Sequence, residues 1–193
     1  MRRFAALLAL LCCSCVAVEA GSDRASDWSE VRAELTRRVE EDQALRREYV
    51  AADTPTPELA ERLAAVDADN TSWMKQLVTR HGWPTIAHVG EEGAGNAWLL
   101  VQHADQDVDF QEQCLVLLRA AVAQGQADRT NLAYLEDRVA THRGRPQRYG
   151  TQFVSKDGGL EPYQLEDPAR VDEWRAEVGL GPLAEYAELL KSQ

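Results

Sequence analysis

Basic charge is scarce in this 193-residue sequence: 21 lysines and arginines stand against 32 aspartates and glutamates, a formal net charge of −11. Neutralising nucleic-acid phosphates takes a clustered basic surface, and an anionic membrane surface repels such a chain, so both partner classes are excluded. Cysteine is scarce as well. Cys12, Cys13 and Cys15 crowd the extreme N-terminus, and Cys114 stands alone among apolar neighbours, where it reads as a buried structural thiol. No Gly-rich phosphate loop and no GxSxG elbow occurs, and Gly93-Ala94-Gly95 does not follow a strand as a dinucleotide site requires. Neither Ser72 nor Ser155 sits in a nucleophile motif.

After the first residues there is also no long apolar run. Met1-Arg2-Arg3 is a short basic region, residues 4–18 are apolar and uncharged, and Val18-Glu19-Ala20 offers small residues where signal peptidase reads. That run falls short of the ~20 residues a membrane helix needs. The expectation is a signal peptide over residues 1–20, with a membrane anchor or a buried N-terminal helix as the alternative. The mature chain, residues 21–193, is then exported, periplasmic or secreted. Ser14-Cys15 resembles the end of a lipoprotein box, with Cys12 where that box usually carries Leu, so Cys15 is a candidate lipid anchor.

What is present is helical periodicity with punctuation. Asp27 and Glu30 form a capping box ahead of a helix over residues 28–50, whose apolar stripe is Trp28, Val31, Leu35, Val39, Leu45 and Tyr49. Its charged residues read as a solvated face. Thr56-Pro57 opens a second helix over residues 58–69, exposing its acids, and Asn70 or Thr71 caps a third over 72–80 that ends at Gly82. Helices follow over 94–102, 109–124 and 131–141. Residues 147–154 and 160–165 flank an Asp-Gly-Gly turn and read as one β-hairpin. Asp167-Pro168 and Pro182 start two final helices. The prediction is a mainly α, multi-helical single domain of helix pairs with one hairpin near residues 147–165; a short helical solenoid is the alternative.

Chemistry concentrates in residues 98–111, WLLVQHADQDVDFQ, where an apolar run delivers Gln102, His103 and three aspartates from a fixed place. A histidine in the last turn of a helix beside an acid is a minimal general acid–base pair. The same residues also serve as ordinary helix caps. Asp105, Asp107 and Asp109 copy the first ligands of a calcium loop, but Phe110 stands where Gly is needed and Val116 where Glu is needed. No two histidines have zinc-ligand spacing, so no metal and no cofactor is expected. Asp137 and Arg138, adjacent on a helix, point to different faces, so one of them faces inward with a partner elsewhere. On a strand, Gln147, Tyr149 and Thr151 would share one face, with Arg148, Gly150 and Gln152 on the other.

Taken in order, GWP at residues 82–84, QHAD at 102–105, DR at 137–138 and QRYGTQ at 147–152 resemble an uncharacterised bacterial family, domain of unknown function 6624. The closing VGL with Pro182, Leu183 and Tyr186 fits the same pattern, so the resemblance covers roughly residues 72–186. It implies that Gln102, His103, Asp105, Asp137, Arg138, Gln147, Tyr149, Thr151 and Gln152 belong to one shared feature.

Two functions are compatible with these residues. One is an exported binding or interaction domain, with a polar pocket between the QHAD turn and the QRYGTQ hairpin. Gln102, His103, Gln147, Tyr149, Thr151 and Gln152 would there bind a polar small molecule, sugar or peptide. The alternative is a hydrolase-type enzyme using His103 as acid–base, oriented by Asp105 or Asp137, with Arg138 or Gln152 holding an oxyanion. A third reading makes the motifs scaffolding and the charged N-terminal helix the contact surface.

Overall fold

The computed structural model describes residues 22–52, 54–156 and 158–191. The expected signal peptide, Cys15 and Asp157 of the hairpin turn lie outside them. Seven helices and one two-stranded sheet make up the described residues: α1 Ser22–Ala51, α2 Pro57–His81, α3 Ile86–Gln102, α4 Val108–Ala123, α5 Arg129–His142, β1 Phe153–Lys156, β2 Gly159–Pro162, α6 Val171–Glu177 and α7 Leu183–Lys191. Among the described residues no helix is long and apolar enough to cross a membrane.

The mainly helical prediction holds, with corrections that have local causes. Residues 58–80 form one continuous helix rather than two. Nothing between Pro57 and Gly82 breaks the backbone, and the two residues expected to cap a new helix are satisfied inside this one. Asn70 is buried and accepts a hydrogen bond from Arg38 at 2.9 Å, while Thr71 donates back to the Asp67 carbonyl at 2.7 Å. Asp107 caps α4 by accepting from the Phe110 N–H at 3.0 Å. Only the outer part of the expected hairpin is a ladder, running from the pair Phe153–Pro162 to Lys156–Gly159. Gln147 makes an isolated parallel bridge to Leu165, and residues 148–152 form a loop, so the strand alternation expected there does not exist.

The arrangement is no solenoid, in which each helix pair would touch only its neighbours. α3 is central and packs against α1, α2, α4 and α5. Its Ala97, Leu100 and Val101 are buried together with Leu35 of α1, Met74 of α2, Cys114 and Leu118 of α4, and Leu135 and Val139 of α5. Gly93 is demanded by α3's own turn rather than by its approach to α1. A Cβ on Gly93 would lie 2.7 Å from the Val89 Cβ and 3.6 Å from Cγ of Arg32 on α1. Val89 reaches that position because the helix kinks at Gly90, with φ 77° and ψ 173°, a conformation closed to residues bearing a Cβ. Gly90→Ala is therefore expected to cost about 1–3 kcal/mol, read as a lower denaturant midpoint with an unchanged slope.

Candidate functional site

α3 ends at His103, whose backbone N–H still bonds to Leu99 O. Leu100 and Val101, both buried, fix this last turn, so the imidazole leaves the core in a set direction. It points toward α1 and α2. Nδ1 lies 3.1 Å from each oxygen of Asp42, a fully buried carboxylate on α1. Asp42, Asp67 and His103 each bring one polar atom within 4.8 Å of the others.

Arg46, one turn after Asp42, threads through this group. Its Nε lies 3.1 Å from Asp42 Oδ1 and its Nη2 2.5 Å from Asp67 Oδ1. Nε also comes within 3.0 Å of His103 Nδ1. Nδ1 can donate to Asp42 or accept from Arg46, but not both. An unprotonated Nδ1 would set its lone pair against a buried carboxylate, so the geometry assigns the proton to Nδ1, with Arg46 Nε also donating to Asp42. Nε2 is left as the basic nitrogen, and it has no hydrogen-bond partner among the described residues.

Electrostatics differ between the two carboxylates. Burial alone would raise the Asp42 carboxyl, but His103, Arg46 and the Gln43 amide at 2.8 Å together hold it below the ordinary range. Asp67 stands above that range, because burial outweighs the attraction of Arg46 and His103 and Asp42 adds repulsion. Three such ligands could hold a metal by distance alone. The Arg46 guanidinium already supplies the positive charge between them, and an ion would have to displace it.

His103 and Asp67 both line an open pocket of about 290 Å³ between α2 and the turn joining α3 to α4. Thr71, Ser72 and Lys75 of α2 and Gln106 and Asp107 of the turn complete its polar wall.

The remaining sequence candidates gather elsewhere. Asp105 turns away from His103 and accepts a bidentate pair from Arg138, at 2.7 and 2.5 Å, plus a bond from buried Gln111 at 3.1 Å. Burial would raise this carboxyl; Arg138, Gln111 and His142 hold it low. Arg138 also donates to Gln152 Oε1 at 3.2 Å, so the QHAD turn and the YGTQ segment do meet, through this arginine. Gln102 is buried and its Oε1 has no partner among the described residues.

Asp137 is enclosed. Its carboxylate accepts from the backbone N–H groups of Arg148, Tyr149 and Thr151 at 2.8–3.0 Å and from the Thr151 hydroxyl at 3.0 Å. Burial still pushes its carboxyl above the usual range against those bonds. Gln147 is equally committed. Its amide donates to the carbonyls of Gln152 and Tyr163 and accepts from the Gln152 N–H, all at 2.9–3.0 Å. Burial, with Glu136 nearby, raises the half-buried Tyr149 phenol to about 12.

The expectation that Asp105 or Asp137 orients His103 is thus corrected: the orienting carboxylate is Asp42. Asp42, Arg46 and Asp67 were absent from the sequence candidates, and the acids of α2 are not all exposed. The signal was periodicity. Asp42 falls seven residues after Leu35 and three before Leu45, on the apolar stripe itself, and Asp67 precedes Asn70 and Met74 by three and seven. Cys114 is buried, its thiol raised to about 12 by desolvation, as a structural cysteine should be.

Residues 29–193 match one known protein family, described as a family of unknown function. No curated protein and no solved structure matches the chain.

Proposed function

The chain belongs to the DUF6624 family, whose function is unknown, and on the geometry of its own site we propose that it is a hydrolase-type acid–base enzyme centred on His103. One observation carries this reading: Nδ1 is committed to buried Asp42 while the same ring lines an open pocket. Nε2 takes a proton from a water as that water attacks a substrate carbonyl. It then returns the proton to the leaving group, so one water is consumed and the histidine ends as it began. Asp42 fixes the tautomer and stabilises the imidazolium without taking the proton. Arg46 offsets the two carboxylates and keeps the cluster from excess negative charge. Asp67 is a further titratable group on the pocket wall, beside Lys75 and Asp107.

The binding-domain reading has less support, because Gln147 and Thr151 spend their hydrogen bonds on the protein's own backbone and on Asp137. The scaffolding reading accounts well for those residues but leaves the Asp42–His103 contact at the pocket unexplained.

The reading is tested without a known substrate by long-range proton–nitrogen NMR of the imidazoles. The neutral His103 ring is expected to carry its proton on Nδ1, and the opposite tautomer would remove the base from the pocket and end the proposal. With esters as substrates, turnover should depend on His103 and Asp42.

A further inference from the structure

Resting on the acid–base reading of the same pocket, we infer that the group placed against His103 is uncharged and polar, such as an ester or amide carbonyl, and that Asp107 is the residue that keeps anions out. The charges lining the pocket are already spoken for. Asp67 is clamped by Arg46 at 2.5 Å. Lys75 forms an ion pair with Asp107, and its ammonium also sits 5.6 Å from the centre of the Phe110 ring. His103 faces Asp42.

The first turn of α4 adjoins the pocket, and a helix N-terminus beside a lysine would ordinarily attract an anion. Asp107 fills that position instead. Its carboxylate caps the Phe110 N–H at 3.0 Å and takes the Lys75 ammonium, so the two features that would hold a phosphate or carboxylate are both occupied by one side chain. Lys75 and the Phe110 N–H together hold the Asp107 carboxyl below its ordinary range, so it stays charged at neutral pH.

An incoming anion meets Asp67 and Asp107, and the net charge of −11 disfavours its approach. An incoming cation meets Lys75, with Arg46 behind Asp67. Ser72 and Gln106 remain: a hydroxyl and an amide on the pocket wall, neither with a side-chain hydrogen bond to the protein among the described residues. Such groups recognise neutral carbonyl, amide and hydroxyl functions by direct hydrogen bonds.

The test is a titration of the full chain with acetamide, sodium acetate, inorganic phosphate and methylammonium, followed by the imidazole carbon–proton resonances of His103. Acetamide is expected to shift them saturably, with affinity about tenfold or more above the three ions. Asp107→Asn preserves a good helix cap while freeing Lys75. It is expected to raise acetate and phosphate affinity about tenfold relative to acetamide. An ion bound by the wild type as tightly as acetamide, no saturable shift with acetamide, or no gain of anion affinity in Asp107→Asn would each overturn the inference. The acid–base reading is judged separately, by the His103 tautomer in the same spectra before any probe is added.

Discussion

Asp137→Ala is expected to cost about 3–5 kcal/mol of stability. The carboxylate does not pair with a basic side chain. It collects three backbone N–H groups and one hydroxyl from residues 148–151, and α5 presents it there at 1% exposure. Truncation leaves all four donors without this acceptor, the Thr151 N–H and hydroxyl fully buried and the other two partly so, and each buried group costs about 1–3 kcal/mol before the loop relaxes. The loop cannot relax freely, because its other side is fastened to buried Arg175, which donates to the Tyr149 carbonyl at 2.7 Å and the Gly181 carbonyl at 2.6 Å. Gly150 adds a close approach, since a Cβ there would meet Leu183 Cδ1 at 2.8 Å. Asp137→Asn, which keeps one acceptor oxygen, should lose less. Gln152→Ala should lose less again, since Arg138 retains its bidentate pair with Asp105. Urea denaturation of the three variants measures the order. An Asp137→Ala variant within about 1 kcal/mol of the wild type would show that the loop does not depend on this carboxylate.

That enclosure explains which parts of the site were legible in the sequence. The inference that adjacent Asp137 and Arg138 cannot face the same way was sound, since helix geometry alone separates them. Their partners were not readable, because Asp137 binds backbone groups, which every residue carries and no motif marks. The QHAD turn was visible because an apolar run ended abruptly in polar residues. Its internal division was not: His103 and Asp105, two residues apart, leave the chain toward α1–α2 and toward α5 respectively. Local spacing suggested that they would pair, and tertiary packing separates them. The helices were legible wherever apolar periodicity met a strong stop such as Gly82 or Pro57. They were misjudged at Asn70-Thr71, where two good capping residues sit inside a helix because tertiary and intrahelical partners satisfy them. Asp42 and Arg46 were hidden in plain view within a run of charges. A run of this kind reads as a solvated face, and only the stripe position of Asp42 distinguishes it from Glu40 and Glu41 beside it.

The functional weight of that hidden pair gives the second large effect. If esters are hydrolysed, His103→Gln is expected to lower kcat/KM by about 10²–10⁴-fold, and Asp42→Asn by a similar factor, because the amide no longer enforces the productive tautomer. The two substitutions separate on stability. His103 is the less buried end of the contact, and its loss leaves Asp42 with Arg46 and Gln43. Asp42→Ala instead removes a fully buried anion from beneath both His103 and Arg46, and breaking such a group is expected to cost about 3–5 kcal/mol. The pH dependence carries the same signature. The folded Asp42 carboxyl titrates below its unfolded value of about 3.9, so as pH falls the unfolded chain binds that proton first. Its stabilisation is complete above the unfolded value and is lost as pH drops through the folded one. Asp67, raised by burial, acts in the opposite sense: keeping it charged weighs against the fold at neutral pH, and protonation relieves that cost. Removing Asp42 should therefore flatten the acid limb of the stability curve, while Asp67→Asn should steepen it. Thermal melts between pH 3 and 7 measure both slopes, and equal slopes in the two variants would mean that Arg46 and His103 do not divide the cluster's charge in the way their hydrogen bonds imply.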